Sequence, residues 1–514
     1  MIRNAYDMSQ HIGNPHRIAR NTLMLYIRMF ALMLVGLYTS RVVLSALGES
    51  DFGIYNVVGG VVSMFTVISG SLNSAISRYI TFELGKGTES NLNKVYSTAV
   101  TIQFMLVLLI VIVAEPVGLW FISNKMTISP ERIGAAEWVY HLSLLSFAVN
   151  LMSVPQMAAI TAHEKMSAYA WIGVLDGVLR LAVALLIQHS AYDRLIFYAV
   201  LMCAVVIIVR ICYLMYCRFS FPECRYRPVF DFSLIKEMFS FAGWSFIGAA
   251  SGVFRDHGGN ILVNLFSGPA VNAARGVALQ LNGAVQGFVT NFMTAVNPQI
   301  TKSYAAGDHA YMFSLIRKSS RMSFYLLYIL ALPVIIYAGD ILDIWLKEVP
   351  GHSVLFVRLF LVFALSESIS SPLITAQLAT GKIRDYQLVV GGIQFLNVPV
   401  SYLFLKMGYM PEVTVVVAIV ISQMCLYARL FMLEKMIGLS FRQFFVRVCL
   451  NVSAVVSVSL PVTLCAVYML PDSSAGFLAG VAFSIVITAM SVLFVGCSRG
   501  ERRMIVEFMK ERIG

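Results

Sequence analysis

Charge is scarce in this 514-residue sequence. Only 13% of its residues are Asp, Glu, Lys or Arg, against 58% apolar residues and a mean hydropathy of +0.77. Ordinary globular chains carry about 25% charged residues, so a soluble multidomain protein is excluded and lipid is the expected solvent. Acid is the scarcer sign, with 27 Asp and Glu facing 38 Lys and Arg, a formal net charge of +11. Patterns that hold metals or disulfides are also missing: the eight cysteines show no CxxC spacing and no His-rich neighbourhood. There is no HExxH pair, no phosphate-cradling glycine loop and no nucleophile motif. The loops expected outside the membrane offer only the scattered Asp340, Asp343, His352 and Glu412. An enzyme is therefore not expected, nor a cofactor. Residues 1–20 are polar, and the first apolar stretch is too long for a signal peptide and lacks a small-residue cleavage site, so no cleaved leader is expected.

Long apolar runs are abundant instead. A bilayer-crossing helix needs about 20 mostly apolar residues. Fourteen such stretches occur, at 21–47, 52–82, 95–121, 137–161, 167–188, 194–217, 235–265, 269–300, 313–338, 353–381, 384–405, 411–436, 443–469 and 474–497. Runs this long predict helices, since a barrel strand needs only about ten alternating residues. The expected fold is an all-α integral membrane protein of 14 transmembrane helices. Its organisation reads as a segment 1–20, an N-lobe of six helices (21–217), a loop 218–234, a C-lobe of six (235–436), two further helices (437–497) and a tail 498–514. An even number of spans places both termini on one side, taken as cytoplasmic. That side then receives 25 Lys and Arg, among them Arg317, Arg321, Arg429, Arg442, Arg447 and Arg502, while the other receives five, Lys125, Arg132, Arg194, Lys347 and Lys406. This is the positive-inside bias. It accounts for most of the net charge, and cations spread over so many loops argue against a nucleic-acid partner.

Sliding the second lobe onto the first by 220 residues lays Ile80-Thr81 on Ile300-Thr301 and Gly87 on Gly307. A parallel repeat of six helices fits this offset; chance identity in a low-diversity apolar sequence also fits.

Eight arginines remain at helix depth: Arg28, Arg41, Arg78, Arg180, Arg210, Arg255, Arg275 and Arg358. Four acids share that depth, Glu115, Asp176, Asp256 and Glu367. Each ionised group near a helix centre costs about 2.5 to 3.5 kcal/mol on insertion scales and normally faces a bundle interior or a wet cavity. Asp176 and Arg180, four apart, read as a self-satisfied pair, or else with Asp256, His257 and Glu367 as groups for ion coupling. Arg210 can snorkel, as can Arg28 and Arg78. Arg255 opens the run Arg255-Asp256-His257-Gly258-Gly259-Asn260, whose two glycines predict local unwinding. In the eighth span Asn272, Arg275, Asn282, Gln286, Thr290 and Asn297 fall within an arc of about 80°. Such a polar stripe suits a wet cavity, or equally hydrogen bonding between helices.

The residues Asn21-Thr22-Leu23, Tyr26-Ile27-Arg28, Thr39-Ser40-Arg41 and Leu47-Gly48-Glu49-Ser50-Asp51-Phe52-Gly53-Ile54-Tyr55-Asn56 make the sequence familiar. It resembles the polysaccharide transporters of the MOP exporter superfamily, Wzx-type O-antigen flippases among them. The Leu-Gly-x-x-Asp-Phe-Gly-x-Tyr turn is the most specific part. The resemblance implies a MATE-like fold in the bacterial cytoplasmic (inner) membrane. It also implies a flippase moving a polyprenyl-diphosphate-linked oligosaccharide from the inner to the outer leaflet by alternating access through a cationic central cavity. The implied partners are that lipid-linked anionic oligosaccharide, membrane lipids and a coupling ion, H+ or Na+, with the protein acting as a monomer. Related peptidoglycan-precursor flippases line their cavity with arginines of the first, second and eighth helices. Those roles would fall to Arg28 or Arg41, Arg78 and Arg275, with Arg255 added from the local sequence. The alternatives are a MATE-type drug or cation antiporter, against which the first span carries two arginines and no acid, and a membrane enzyme of polyprenyl-linked glycan assembly.

Overall fold

The computed structural model describes residues 15–503 apart from 64–65, 88–90, 126–127, 191, 229–230, 347–348 and 472. Most of the expected segment 1–20 and of the tail 498–514 lies outside these. Among the described residues there is no strand. The helices are α1 (Pro15–Ser63), α2 (Thr66–Lys86), α3 (Leu92–Lys125), α4 (Pro130–Ala162), α5 (Met166–Leu186), α6 (Arg194–Ser220), α7 (Phe232–Ala305), α8 (His309–Ile336), α9 (Ala338–Trp345), α10 (Ser353–Thr380), α11 (Arg384–Lys406), α12 (Val413–Ile437), α13 (Phe441–Tyr468) and α14 (Ser474–Gly496). Ten of them, α3 to α6, α8 and α10 to α14, are long and apolar enough to cross a membrane. The all-helical membrane fold is therefore as expected, but its helices do not map one to one onto the fourteen apolar runs.

The difference lies at two glycines. The first two expected spans begin within one helical element, α1, interrupted at Gly48 (φ 76, ψ 169); the seventh and eighth form α7, interrupted at Gly268 (φ 81, ψ 175). Each break is a single residue in a backbone region essentially reserved for glycine. Gly48 and Gly268 are 220 residues apart, as are Gly87 (φ 71) and Gly307 (φ 73). The same offset that paired residues in sequence thus pairs backbone geometry, which chance identity does not explain. Prolines repeat as well, with Pro116 inside α3 and Pro333 inside α8.

The chain divides into two compact units, Ala19–Phe246 and Met1–Ile18 with Ile247–Gly514. In the first, α4 packs on α6 and on α2, and Val42, Val43, Val183, Ile187, Tyr198 and Val205 form a core cluster. In the second, α10 is the central helix, packed on α8 and α12 around Leu327, Phe356, Leu361, Leu426 and Leu430. Outward faces remain apolar: Ile112, Trp120, Trp171 and Phe483 are all more than half exposed. Helices apolar on both inner and outer faces are those of a membrane protein.

The glycine break at Gly48 is clamped by charge. Asp51, three residues on, is buried and pairs with Arg132 at the start of α4, which also reaches Asp193 at the cap of α6. Arg194 donates to the Ala46 carbonyl (3.1 Å), and the Tyr55 ring meets Tyr198 edge-on at 4.7 Å. The Gly-x-x-Asp-x-x-x-Tyr spacing thus encodes a reversal, its counter-charge and its packing. Arg132 and Arg194, counted from sequence as topological cations, hold this turn together. In the second unit His352 and Glu412 make the corresponding contact, 2.6 Å.

Candidate functional site

Intramembrane charge in the first unit is concentrated on α1, α2 and α5. The small residues Gly173 and Gly177 of α5 lie four apart, so one face of that helix lacks side chains and lets α1 approach. Arg28 and Leu32 fill the space: a Cβ on Gly173 would collide with Arg28, and one on Gly177 with Leu32. Arg28 is half-buried with its guanidinium 4.4 Å from the Tyr169 ring centre, and its Nε has no hydrogen-bond partner. Its charge is met by a π-face. Asp176 and Arg180 bond each other at 2.9 Å, the self-satisfied pair read from their spacing. Arg78 stands over Tyr79 and Phe82 (4.6 Å each) and 5.7 Å from Phe241, while the Tyr79 hydroxyl donates to Glu237 (3.0 Å). The side chain of Arg41 lies outside the described residues. Arg210 does not snorkel: it points at the Val149 carbonyl and the Ser153 hydroxyl, each at 3.4 Å.

The second unit treats its arginines differently. Arg275 is 4% exposed, with Nε donating to Asn260 (2.8 Å) and a terminal nitrogen to Thr414 (3.0 Å), 5.1 Å from the Phe360 ring. Arg255 forms a two-point pair with its neighbour Asp256 (2.9 and 3.3 Å), over Phe363. Beside them is a cavity of about 10 Å³, lined also by Asn397 and Ser401. That is room for one water, and not for a diphosphate.

The predicted unwinding at Gly258-Gly259 does not occur, for α7 is helical throughout 251–267. These glycines serve close approach. A Cβ on Gly258 would strike Val398, and one on Gly259 the Arg275 guanidinium. Gly259→Ala is therefore expected to push Arg275 off Asn260 and Thr414 and to cost about 2 kcal/mol, the worth of such charge-assisted bonds; thermal melting of the purified protein measures it.

The polar stripe is likewise divided. Asn297 accepts from Thr375 (2.7 Å), whereas Asn272 and Asn282 each keep a buried amide oxygen without a partner. Gln286 is half-buried, Thr290 and His257 are exposed, and Glu367 accepts from Ser422 (2.7 Å). Arg429, assigned from sequence to the inner face, is instead 1% exposed on α12, with Nε donating to the Tyr386 hydroxyl (3.3 Å). Its position two turns inside an apolar span was the available signal.

A family model described as "Polysaccharide biosynthesis protein" matches residues 18–304. The chain belongs to this family. All five arginines singled out for an anionic substrate, Arg28, Arg41, Arg78, Arg255 and Arg275, lie within the matched stretch. No curated protein matches the chain. Among solved structures, the polysaccharide biosynthesis chain is similar to a MATE protein in complex with MaD3S (13% identity, TM-score 0.71, covering 82% of this chain and 97% of that one). It is similar also to an outward-facing multidrug resistance MATE family transporter of the MOP superfamily (13%, 0.71, 83% and 96%). A third is a MOP superfamily transporter from Pyrococcus furiosus whose pocket is described as of reverse polarity (12%, 0.68, 82% and 95%). The fold is the MATE fold, and family and fold point to a transporter rather than an enzyme.

Proposed function

We propose that the protein is a flippase that carries a polyprenyl-diphosphate-linked oligosaccharide from the inner to the outer leaflet of the cytoplasmic membrane by alternating access. The observation that carries this reading is Arg28, a cation at helix depth stacked on Tyr169, with no hydrogen-bond partner at its buried Nε. A guanidinium held by a ring keeps its donors for a ligand, and its planar fork suits phosphate oxygens. Arg78, set among three rings, supports the same reading. Arg180, Arg255 and Arg275, by contrast, spend donors on Asp176, Asp256, Asn260 and Thr414. Family membership supports the glycan, since the matching model is one of polysaccharide biosynthesis.

The test is reconstitution. Proteoliposomes holding a lipid-linked oligosaccharide should expose the glycan to an external glycosidase only when the protein is present. Transport of a cationic dye with no glycan exposure would instead support the drug antiporter that the MATE fold also serves.

A further inference from the structure

A second cationic feature lies in the unit Ile247–Gly514, away from the residues proposed for the substrate. Arg317 and Arg321 are four apart on α8 and share one face. That helix packs on the π-helical turn Phe445–Leu450 of α13, which carries Arg447. Arg321 and Arg447 both stand close enough to repel the Arg317 guanidinium. One acid answers them. Arg321 donates to Glu501 (2.7 Å) and to the Gly496 carbonyl (3.0 Å), but Glu501 also accepts from the Ser498 N–H (2.8 Å). The Arg321 Nε is buried without a partner. Among the described residues, Arg317 and Arg447 have no hydrogen-bonded or ion-paired partner.

Depth adds to this. Arg317 is about 12 Å and Arg447 about 9 Å along helices that start on the side expected to be cytoplasmic. α8 measures about 42 Å against a hydrocarbon core of about 30 Å, so the cluster lies where headgroups meet hydrocarbon. Three like charges on the rim of a low-dielectric layer repel strongly, and basic pockets between helices on this side suit lipid headgroups.

We infer that Arg317, Arg321 and Arg447 form a binding site for a phosphate-bearing anion, the headgroup of an anionic phospholipid or free phosphate. The phosphate oxygens would take the donors that Glu501 leaves unused, and would lower the repulsion among the three guanidiniums. The inference does not depend on the transport reading, because none of these residues is assigned to the substrate.

The experiment uses the full-length protein in detergent. Native mass spectrometry and thermal melting are recorded with phosphatidylglycerol, with phosphatidylcholine and with inorganic phosphate. Wild type should retain phosphatidylglycerol and melt higher with it than with phosphatidylcholine. The Arg317→Gln/Arg447→Gln double variant should bind it roughly thirty-fold more weakly, at the worth of one headgroup contact per Arg. Relief of repulsion should leave its melting in phosphatidylcholine unlowered. Stabilisation by phosphatidylglycerol alone assigns the site to a headgroup; equal stabilisation by phosphate shows that the phosphate group suffices. Arg447→Gln alone, at an exposed position, covers the case in which the double variant does not fold. Arg442→Gln, exposed on the same helix, is the control. Equal phosphatidylglycerol binding by wild type and the cluster variants, or equal loss in the Arg442 control, would overturn the site.

Discussion

Arg28→Gln is expected to slow glycan flipping in proteoliposomes by roughly a hundredfold while the protein still folds and inserts. That figure corresponds to one charge-assisted contact with a diphosphate lost from the barrier. Folding should be spared because Arg28 makes its main printed contact with a ring face, and an amide can occupy the same space without burying a charge. Arg28→Lys should keep part of the activity: the charge stays, but the two-donor fork that matches phosphate is gone. Gly173→Ala supplies an independent check. It removes no charge, yet its Cβ would displace Arg28 from Tyr169, so flipping should fall with Arg28 present. Wild-type flipping in Arg28→Gln would reduce Arg28 to a structural cation.

Loss of Arg132 should have the largest effect on stability. Arg132→Gln leaves Asp51 buried without its counter-ion and frees Asp193. Removing one member of a fully buried pair costs about 3 to 5 kcal/mol; with Arg132 30% exposed, solvent screening reduces that to about 2 kcal/mol. In a unit of this size the melting temperature should drop by roughly 5 °C. The loss should depend on pH. Burial alone would push the Asp193 carboxyl up, but the Ile196 and Leu195 N–H groups and the Arg132 guanidinium together hold it below the usual carboxylate range. A depressed folded-state value means that its stabilisation is present above about pH 4 and is lost as pH falls through the folded value. The gap in melting temperature between wild type and Arg132→Gln should therefore narrow on acidification. A gap constant from neutral pH to pH 3 would remove Asp193 from the account.

Much of the fold was legible because hydropathy and glycine act locally. Long apolar runs announce membrane helices, and Gly48 and Gly268 mark breaks whatever surrounds them, since no other residue adopts that backbone at low cost. The Asp176–Arg180 pair was legible for the same reason, both partners lying on one helix. Partners distant in sequence were not. Nothing near Arg132 reveals that it meets Asp51, 81 residues earlier. Gly258-Gly259 read as weak points in a helix when they are clearances for Val398 and Arg275. Arg429 read as a surface cation until Tyr386 was seen against it.

The sequence by itself therefore determined the solvent, the helical class, the repeat and the excess of arginine at helix depth, since each depends on composition, period or a single residue's backbone freedom. Only the tertiary structure decided which of those arginines keeps its donors. Arg275 spends them on Asn260 and Thr414, Arg255 on Asp256, and Arg28 rests on a ring. A guanidinium carries the same charge in every case. Whether that charge is available to an anion depends on the neighbours that folding brings within about 3 Å, and these come from helices far apart in the chain.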